Sequence, residues 1–267
     1  MGQLLVCDAG AVTDPGAVIT AVPAGQGSTF TVRGTSVSTK QSLVGLARGG
    51  ATKGLIRVSS PYLSDNVQGI RYAVAAGIQD DLLAGSPVQG LIPQDTLTVE
   101  VTGGAAEFDG ALLSTYYDDL SGASPVLKMP GDISGTADFT TSWEVGAAAS
   151  ATEGNWSNTI ITELYDESKA NRWYALLGYV VDTAVLGVAL NGADTSNFNI
   201  GGPGVTEPYR TKNYFADLSM KLGKPCIPLF NTANKGNTNV AVVDVAASTA
   251  VNVTLVVAIM PSTYSPN

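Results

Sequence analysis

The chain has no histidine. That removes Ser-His-Asp and Cys-His triads, and with them the usual zinc sites. Cysteine is nearly absent too: Cys7 and Cys226 stand far apart and cannot make a disulfide framework. Cys226, in Lys-Pro-Cys-Ile-Pro-Leu, reads as a small buried apolar residue; a Cys7–Cys226 bridge is the alternative. Charge is scarce. Only 14% of the 267 residues are charged, against about 25% in an average soluble domain. Either Ser, Thr, Asn, Gly and Ala cover much of the surface, or a good part of it is buried between subunits. Positive charge is the scarcer sign, with 14 Lys and Arg against 23 Asp and Glu, for a net charge of −9. The basic residues are scattered, so direct sequence-specific nucleic-acid binding, which needs cations to neutralise phosphates, is not expected. No apolar run reaches the roughly 18 residues of a membrane span. The start, MGQLLVCDAG, lacks the basic residues and long apolar run of a signal peptide. The chain is expected to be made and folded in the cytoplasm.

What is present is β-branched residue and glycine. Thr238 to Val245 is dense in valine, and Ala246 to Thr249 is small and polar enough to turn. Val251, Val253, Leu255, Val257 and Ile259 alternate with other residues, the period of a strand with one face on a core. Two neighbouring antiparallel strands are therefore expected to close a β-sandwich. Asn252 and Thr254 should occupy the second face of the last strand. Val256 and Ala258 share that face yet are apolar, so cover there should begin near Val256, from an adjoining lobe or another subunit.

Upstream, residues 1–54 are rich in Gly, Ala, Ser and Thr and weakly patterned. They read as an arm or irregular N-terminal segment, or as an edge meander, with Thr39 to Arg48 as a short helix. Residues 55–125 read as a first β lobe, able to draw strands from 1–54. Its strands are expected at Leu55 to Val58, Gly69 to Ile78, Asp95 to Val101 and Ala111 to Tyr117. Residues 126–157 read as a connecting segment. Trp143 and Trp156 stand in it, either plugging the end of their own sandwich or anchoring a neighbouring subunit. Residues 158–267 form a second β lobe, with a long run from Arg172 to Leu190 bent at Asp182-Thr183. One short helix is inserted near residues 207–222. Thr206 can cap it, Glu207 and Pro208 suit its first turn, and Gly223 and Pro225 end it. Tyr214, Phe215, Leu218 and Leu222 make its apolar stripe.

The halves echo one another faintly. Arg71 to Gly77 resembles Arg172 to Gly178, and Leu91-Ile92-Pro93 resembles Cys226-Ile227-Pro228. Each is followed by an alternating strand, a turn and a second strand.

Candidate chemistry is thin. Asp80-Asp81, Asp118-Asp119 and Asp166-Glu167 fall where turns are expected, and adjacent strand residues point to opposite faces. Solvated turn acids outweigh calcium ligands or a glycosidase pair. Asn191 to Gly204 matches neither phosphate-binding loop pattern, because no Lys follows its glycines. No catalytic, cofactor-binding or metal-binding residue is expected, and the chain is not expected to be an enzyme. The candidate interface residues are Trp143, Trp156 and Val256. Low charge and weakly patterned segments predict a homo-oligomer, a trimer or larger.

The Arg71/Arg172 echo, the helix near 207–222 and the closing strands together resemble the jelly-roll capsid proteins of viruses. They look most like the small double-jelly-roll major capsid proteins of tailless bacteriophages. The resemblance covers residues 55–261 in order of elements and rests on no specific motif. It implies an all-β fold of two jelly rolls side by side, trimeric capsomers and self-assembly into a virion shell with other virion proteins. The first 50 or so residues would then be an arm. The acidic charge departs from what a protein lining a genome would carry. A ligand-binding or carbohydrate-binding β-sandwich is the alternative, with Trp143, Trp156 and Trp173 as a sugar platform; a phage tail or decoration protein is another.

Overall fold

The computed structural model describes residues 2–6, 27–31, 40–49, 54–59, 70–74, 79–80, 89–91, 96–102, 110–118, 127–149, 159–160, 172–183, 185–191, 200–204, 206, 208–231, 239–243 and 250–266. Side-chain surroundings are described from residue 127 onward.

Almost all of it is antiparallel strand. In the first half, β1 (Gly2–Val6), β3 (Lys40–Gly49), β6 (Gln79–Asp80), β7 (Gln89–Leu91) and β9 (Gly110–Asp118) make one sheet. Its order is β1-β9-β3-β6, with β7 also on β3. A second sheet runs β2-β8-β4-β5, from β2 (Gly27–Thr31), β4 (Gly54–Ser59), β5 (Ile70–Val74) and β8 (Thr96–Thr102). In the second half, β10 (Leu127–Lys128), β11 (Phe139–Ala149), β13 (Trp173–Val181), β16 (Ile227–Asn231) and β18 (Ala250–Ile259) order as β10-β16-β13-β18-β11. The fourth sheet is β12-β17-β14-β15, from β12 (Thr159–Ile160), β14 (Val185–Asn191), β15 (Ile200–Gly204) and β17 (Asn239–Val243). Among the described residues, three short helices accompany them: α1 (Pro130–Ser134), α2 (Pro208–Thr211) and α3 (Tyr214–Leu222).

The order of connection is the same in both halves. β1-β9-β3 is answered by β11-β18-β13, and β2-β8-β4-β5 by β12-β17-β14-β15. Consecutive strands such as β1 and β2, or β17 and β18, fall in different sheets. Strands that cross between two sheets in this way are consistent with a jelly-roll β-sandwich.

That wiring corrects the expected closing pair. β17 pairs with β12 and β14, whereas β18 pairs with β13 and β11. A strand has two edges, and each of these already has both filled. The echo is corrected in part. Arg71 lies in edge strand β5, but Arg172 leads into β13, the middle of a sheet whose counterpart by order is β3. The later echo agrees in strand order, with β7, β8 and β9 corresponding to β16, β17 and β18, but not residue by residue: β7 ends at Leu91, whereas β16 begins after Cys226.

Other segments differ from expectation for one physical reason, namely that strand pairing overrides weak local pattern. Thr39 to Arg48 is not a helix; residues 40–49 are β3, paired with β9 along one edge and with β6 and β7 along the other. Residues 1–54, from which the first lobe was expected to be able to draw strands, contribute β1, β2 and β3 to the first two sheets. The expected connection 126–157 holds β11, which pairs with β18 almost end to end. The single helix near 207–222 is two, α2 and α3, broken at Lys212-Asn213. Pro208 opens the first and Gly223, at φ 64°, closes the second, its N–H bonding back to the Ser219 carbonyl. That left-handed cap is one glycine adopts without cost.

The core of the second half follows the predicted alternation. Val251, Val253, Leu255, Val257 and Ile259 are buried, while Asn252 and Thr254 are half-buried on the other face. Trp143 meets Tyr174 edge-on at 4.7 Å, and Tyr174 stacks on Phe230 at 5.6 Å. β16 accompanies β13 only as far as Ala175. Beyond that point Tyr179 meets Tyr214 and Phe215 of α3, with centroids 5.8 and 6.3 Å away.

Candidate functional site

The outer face of the closing sheet carries the features that could meet a partner. Facing rows on that side are Thr140, Ala258 and Ala175, then Ser142, Val256 and Gly178, then Glu144, Thr254 and Val180. A bulge at Leu177 interrupts β13 between the first two rows. The rows divide this face into an apolar half and a polar half.

Helices cover part of the apolar half, over Gly178, while Thr140 and Ser142 on its β11 side stay exposed. A Cβ at Gly178 would clash with the backbone carbonyls of Thr211 and Lys212, so only glycine lets α2 end this close to the sheet. α3 lies on β13 and beside α1. Between α1, α3 and the sheet is a cavity of about 230 Å³ lined by Ile133, Ala137, Thr140, Leu177, Ala216 and Ile227. α1 is held by Asp132, whose carboxylate accepts from the Met129 N–H at 3.1 Å. The chain segment leading to β11 is fixed by Arg172, which donates to the Asp138 carboxylate at 2.7 Å.

The polar half forms a shallow recess lined by Glu144, Asp182, Asn252 and Thr254. Asp182 sits at the predicted bend after β13. Its carboxyl is held below the ordinary carboxylate range, chiefly by the backbone N–H of Asn252. Asp217, on α3, is shifted the other way: partial burial pushes its carboxyl up. Cys226 is a free, fully buried thiol, pushed up to about 12 by burial. It is the inert apolar residue expected, not a nucleophile. No cluster of metal-ligating side chains occurs among the described residues.

Two of the three predicted interface residues, Trp143 and Val256, are described. Trp143 is only 5% exposed and packs within its own sandwich, so it has no face to offer a sugar or a neighbouring subunit. Trp156 lies outside the described residues. Val256 is 7% exposed. Burial on that face does begin at Val256, and its cross-strand neighbour Gly178 lies under the end of α2. On α3, Tyr214, Phe215 and Leu218 are buried as predicted, while Leu222 is only half-buried. Sequence reasoning missed Tyr209 and Met220, which are 78% and 64% exposed. Their positions off the apolar stripe were the available signal.

No protein-family model matches the chain, and no curated protein sequence matches it. Solved structures give distant overlays. The PBSX exported protein XepA aligns over 97% of this chain and 86% of its own, at 11% identity and a TM-score of 0.25. The STIV MCP aligns over 98% of both chains, at 7% identity and a TM-score of 0.22. A chain from an archaeal virus structure, described by its triple jelly roll fold and turret assembly, aligns over 95% of this chain and 62% of its own, at 12% identity and a TM-score of 0.24. At such TM-scores the overlays lend no weight to a shared fold or role.

Proposed function

We propose that the chain is a self-assembling coat subunit of a virus particle, a bacteriophage capsid protein built as two jelly rolls in tandem. The observation that carries the reading is the repeated order of connection: β1-β9-β3 and β2-β8-β4-β5 recur as β11-β18-β13 and β12-β17-β14-β15. In domain terms, a first roll uses residues 55–125 with strands from 1–54. A second uses 158–267 together with β11. The rest is composition. A chain with 14% charge and no histidine is suited to burying surface between copies and poorly suited to catalysis. The subunit acts without a cofactor. Its partners are copies of itself, as a trimer or larger, and other virion proteins. It is assembled in the host cytoplasm and resides in the virion.

The test is light scattering and negative-stain microscopy of the full chain in moderate salt. Rings, shells or discrete oligomers support the proposal. A uniform 27.4 kDa monomer at tens of micromolar would sink it.

A further inference from the structure

The two halves of the chain touch through matching strands. β15 lies against β1 and β9, and β14 against β9 and β3. β9 and β3 are the second and third strands of their sheet, so β14 and β15 lie over its face, not beside its edge. The order of connection makes β11, β18 and β13 the counterparts of β1, β9 and β3, and β4 and β5 the counterparts of β14 and β15. The same contact made a second time sets β5 over β11 and β4 over β13. One chain cannot make it with itself. The two sheets of a sandwich face opposite ways, so the contact between the halves turns the closing sheet and β2-β8-β4-β5 outward at opposite ends. A second copy has to supply the strands.

Exposure and charge fit that occupant. On the receiving side Thr140, Ser142 and Glu144 of β11 are exposed, as is Asp182 at the end of β13. Glu144 and Asp182 are the charged residues of the polar half; exposed Lys212 stands one row away, where α2 ends over Gly178. On the other side, register puts Val101, Ile56 and Tyr72 in one row and Glu100, Arg57 and Arg71 in the next. Alternation gives the first row to the apolar face and the second to the outward face. Two cations and one anion there meet two anions. We infer that the outward face of β2-β8-β4-β5 in one copy packs on the β11 side of the closing sheet in the next, with Arg71 on β5 meeting Glu144 on β11 and Arg57 on β4 meeting Asp182. The contact is head to tail, so repeating it builds a ring or a continued surface rather than an isolated pair. It rests on the assembly reading above and names the two surfaces that assembly uses.

The test uses the full chain. Arg71→Glu and Glu144→Arg should each weaken self-association by about tenfold or more in sedimentation, because each sets like charges face to face. Mixing the two variants should restore association, because each altered residue then meets its opposite on the other chain. An ion pair within one chain gains nothing from mixing. If the parent assembles and either variant assembles equally well, this contact is refuted and the assembly proposal stands. If both variants weaken assembly, keep the parent's unfolding temperature and are not rescued by mixing, Arg71 and Glu144 do not face each other and the contact is again refuted. Should a variant fail to fold, Arg71→Ala and Glu144→Gln take its place: each should weaken association, and the double variant should be no weaker than either single one, whereas additive losses refute the pair. A monomeric parent overturns both the contact and the assembly proposal.

Discussion

Asp182 is gripped chiefly by one residue across the sheet, Asn252. Its Oδ1 accepts from the Asn252 backbone N–H at 2.9 Å, and its Oδ2 accepts from Nδ2 at 2.7 Å. The Asp182 N–H returns a bond to the Asn252 carbonyl at 3.3 Å. Thus the bend that sends the chain from one sheet to the other is tied to the strand that closes the second half. These bonds favour the ionised carboxylate and lower its pKa. An acid whose folded pKa is depressed contributes stability above its unfolded pKa, and that contribution is lost as pH falls through the folded value. Asp182→Asn should therefore lower stability at neutral pH, by about 1 kcal/mol at most, because the carboxylate is exposed and solvent screens it. The difference from the parent should close as pH drops below about 3.9. Thermal unfolding at a series of pH values checks this; a constant gap down to pH 2 or so would contradict it.

Gly178 should resist substitution. An added methyl meets the Thr211 and Lys212 carbonyls, which are backbone and cannot swing aside. Gly178→Ala should cost about 1–3 kcal/mol in urea unfolding, as overpacking does. Parent-like stability would mean that α2 is free to shift off the sheet.

Leu218 and Val257 test the core from its two sides. Leu218 is 1% exposed on α3, so Leu218→Ala should cost about 2–5 kcal/mol. Val257 is fully buried, and Val257→Asp would leave a charge without a partner there. That variant should fail to yield soluble folded protein. Val256→Asp should also be costly, because Val256 is covered by its own chain. Circular dichroism on the soluble fraction reads all three, and a folded Val257→Asp would show that β18 does not face a core.

Cys226 should be silent until the protein unfolds. With its thiol pushed up to about 12, almost no thiolate exists at pH 8. Iodoacetamide should leave it unmodified in the native state and alkylate it in denaturant. Rapid native labelling at Cys226, located by peptide mapping, would contradict the burial.

Much of the second half was legible in the sequence, and the reasons are specific. The alternation from Val251 to Ile259 is set by pleat geometry, and Gly223 is set by a left-handed cap. Both are local properties. Period-2 pattern reports which face is buried but not which strands lie on either edge, so β17 and β18 were wrongly paired. β3 and β11 were missed because Gly, Ala and Ser dilute their pattern, and long-range pairing alone makes them strands. The break at Lys212-Asn213 has no proline or glycine to announce it. The site was less legible than the fold. Trp143 looked like an anchor because it is large, yet it is core. Met220 and Tyr209 are prominent because of where the helices dock, which depends on a bulge at Leu177 and a bare glycine at 178.

The sheet order also sets a timetable. Among the described residues, β11 is the outermost strand of its sheet and its one ladder is to β18. During translation, at about 5–20 residues per second, β11 leaves the ribosome seconds before the strand it needs exists. Through that interval it waits with both edges bare, the state most prone to pairing with another nascent chain. The helices that cover part of the outer face emerge earlier than β18, so the lid is made before the floor is finished. Slowing elongation between β11 and β18, with rare codons for example, should lower the soluble yield without changing a single residue of the product.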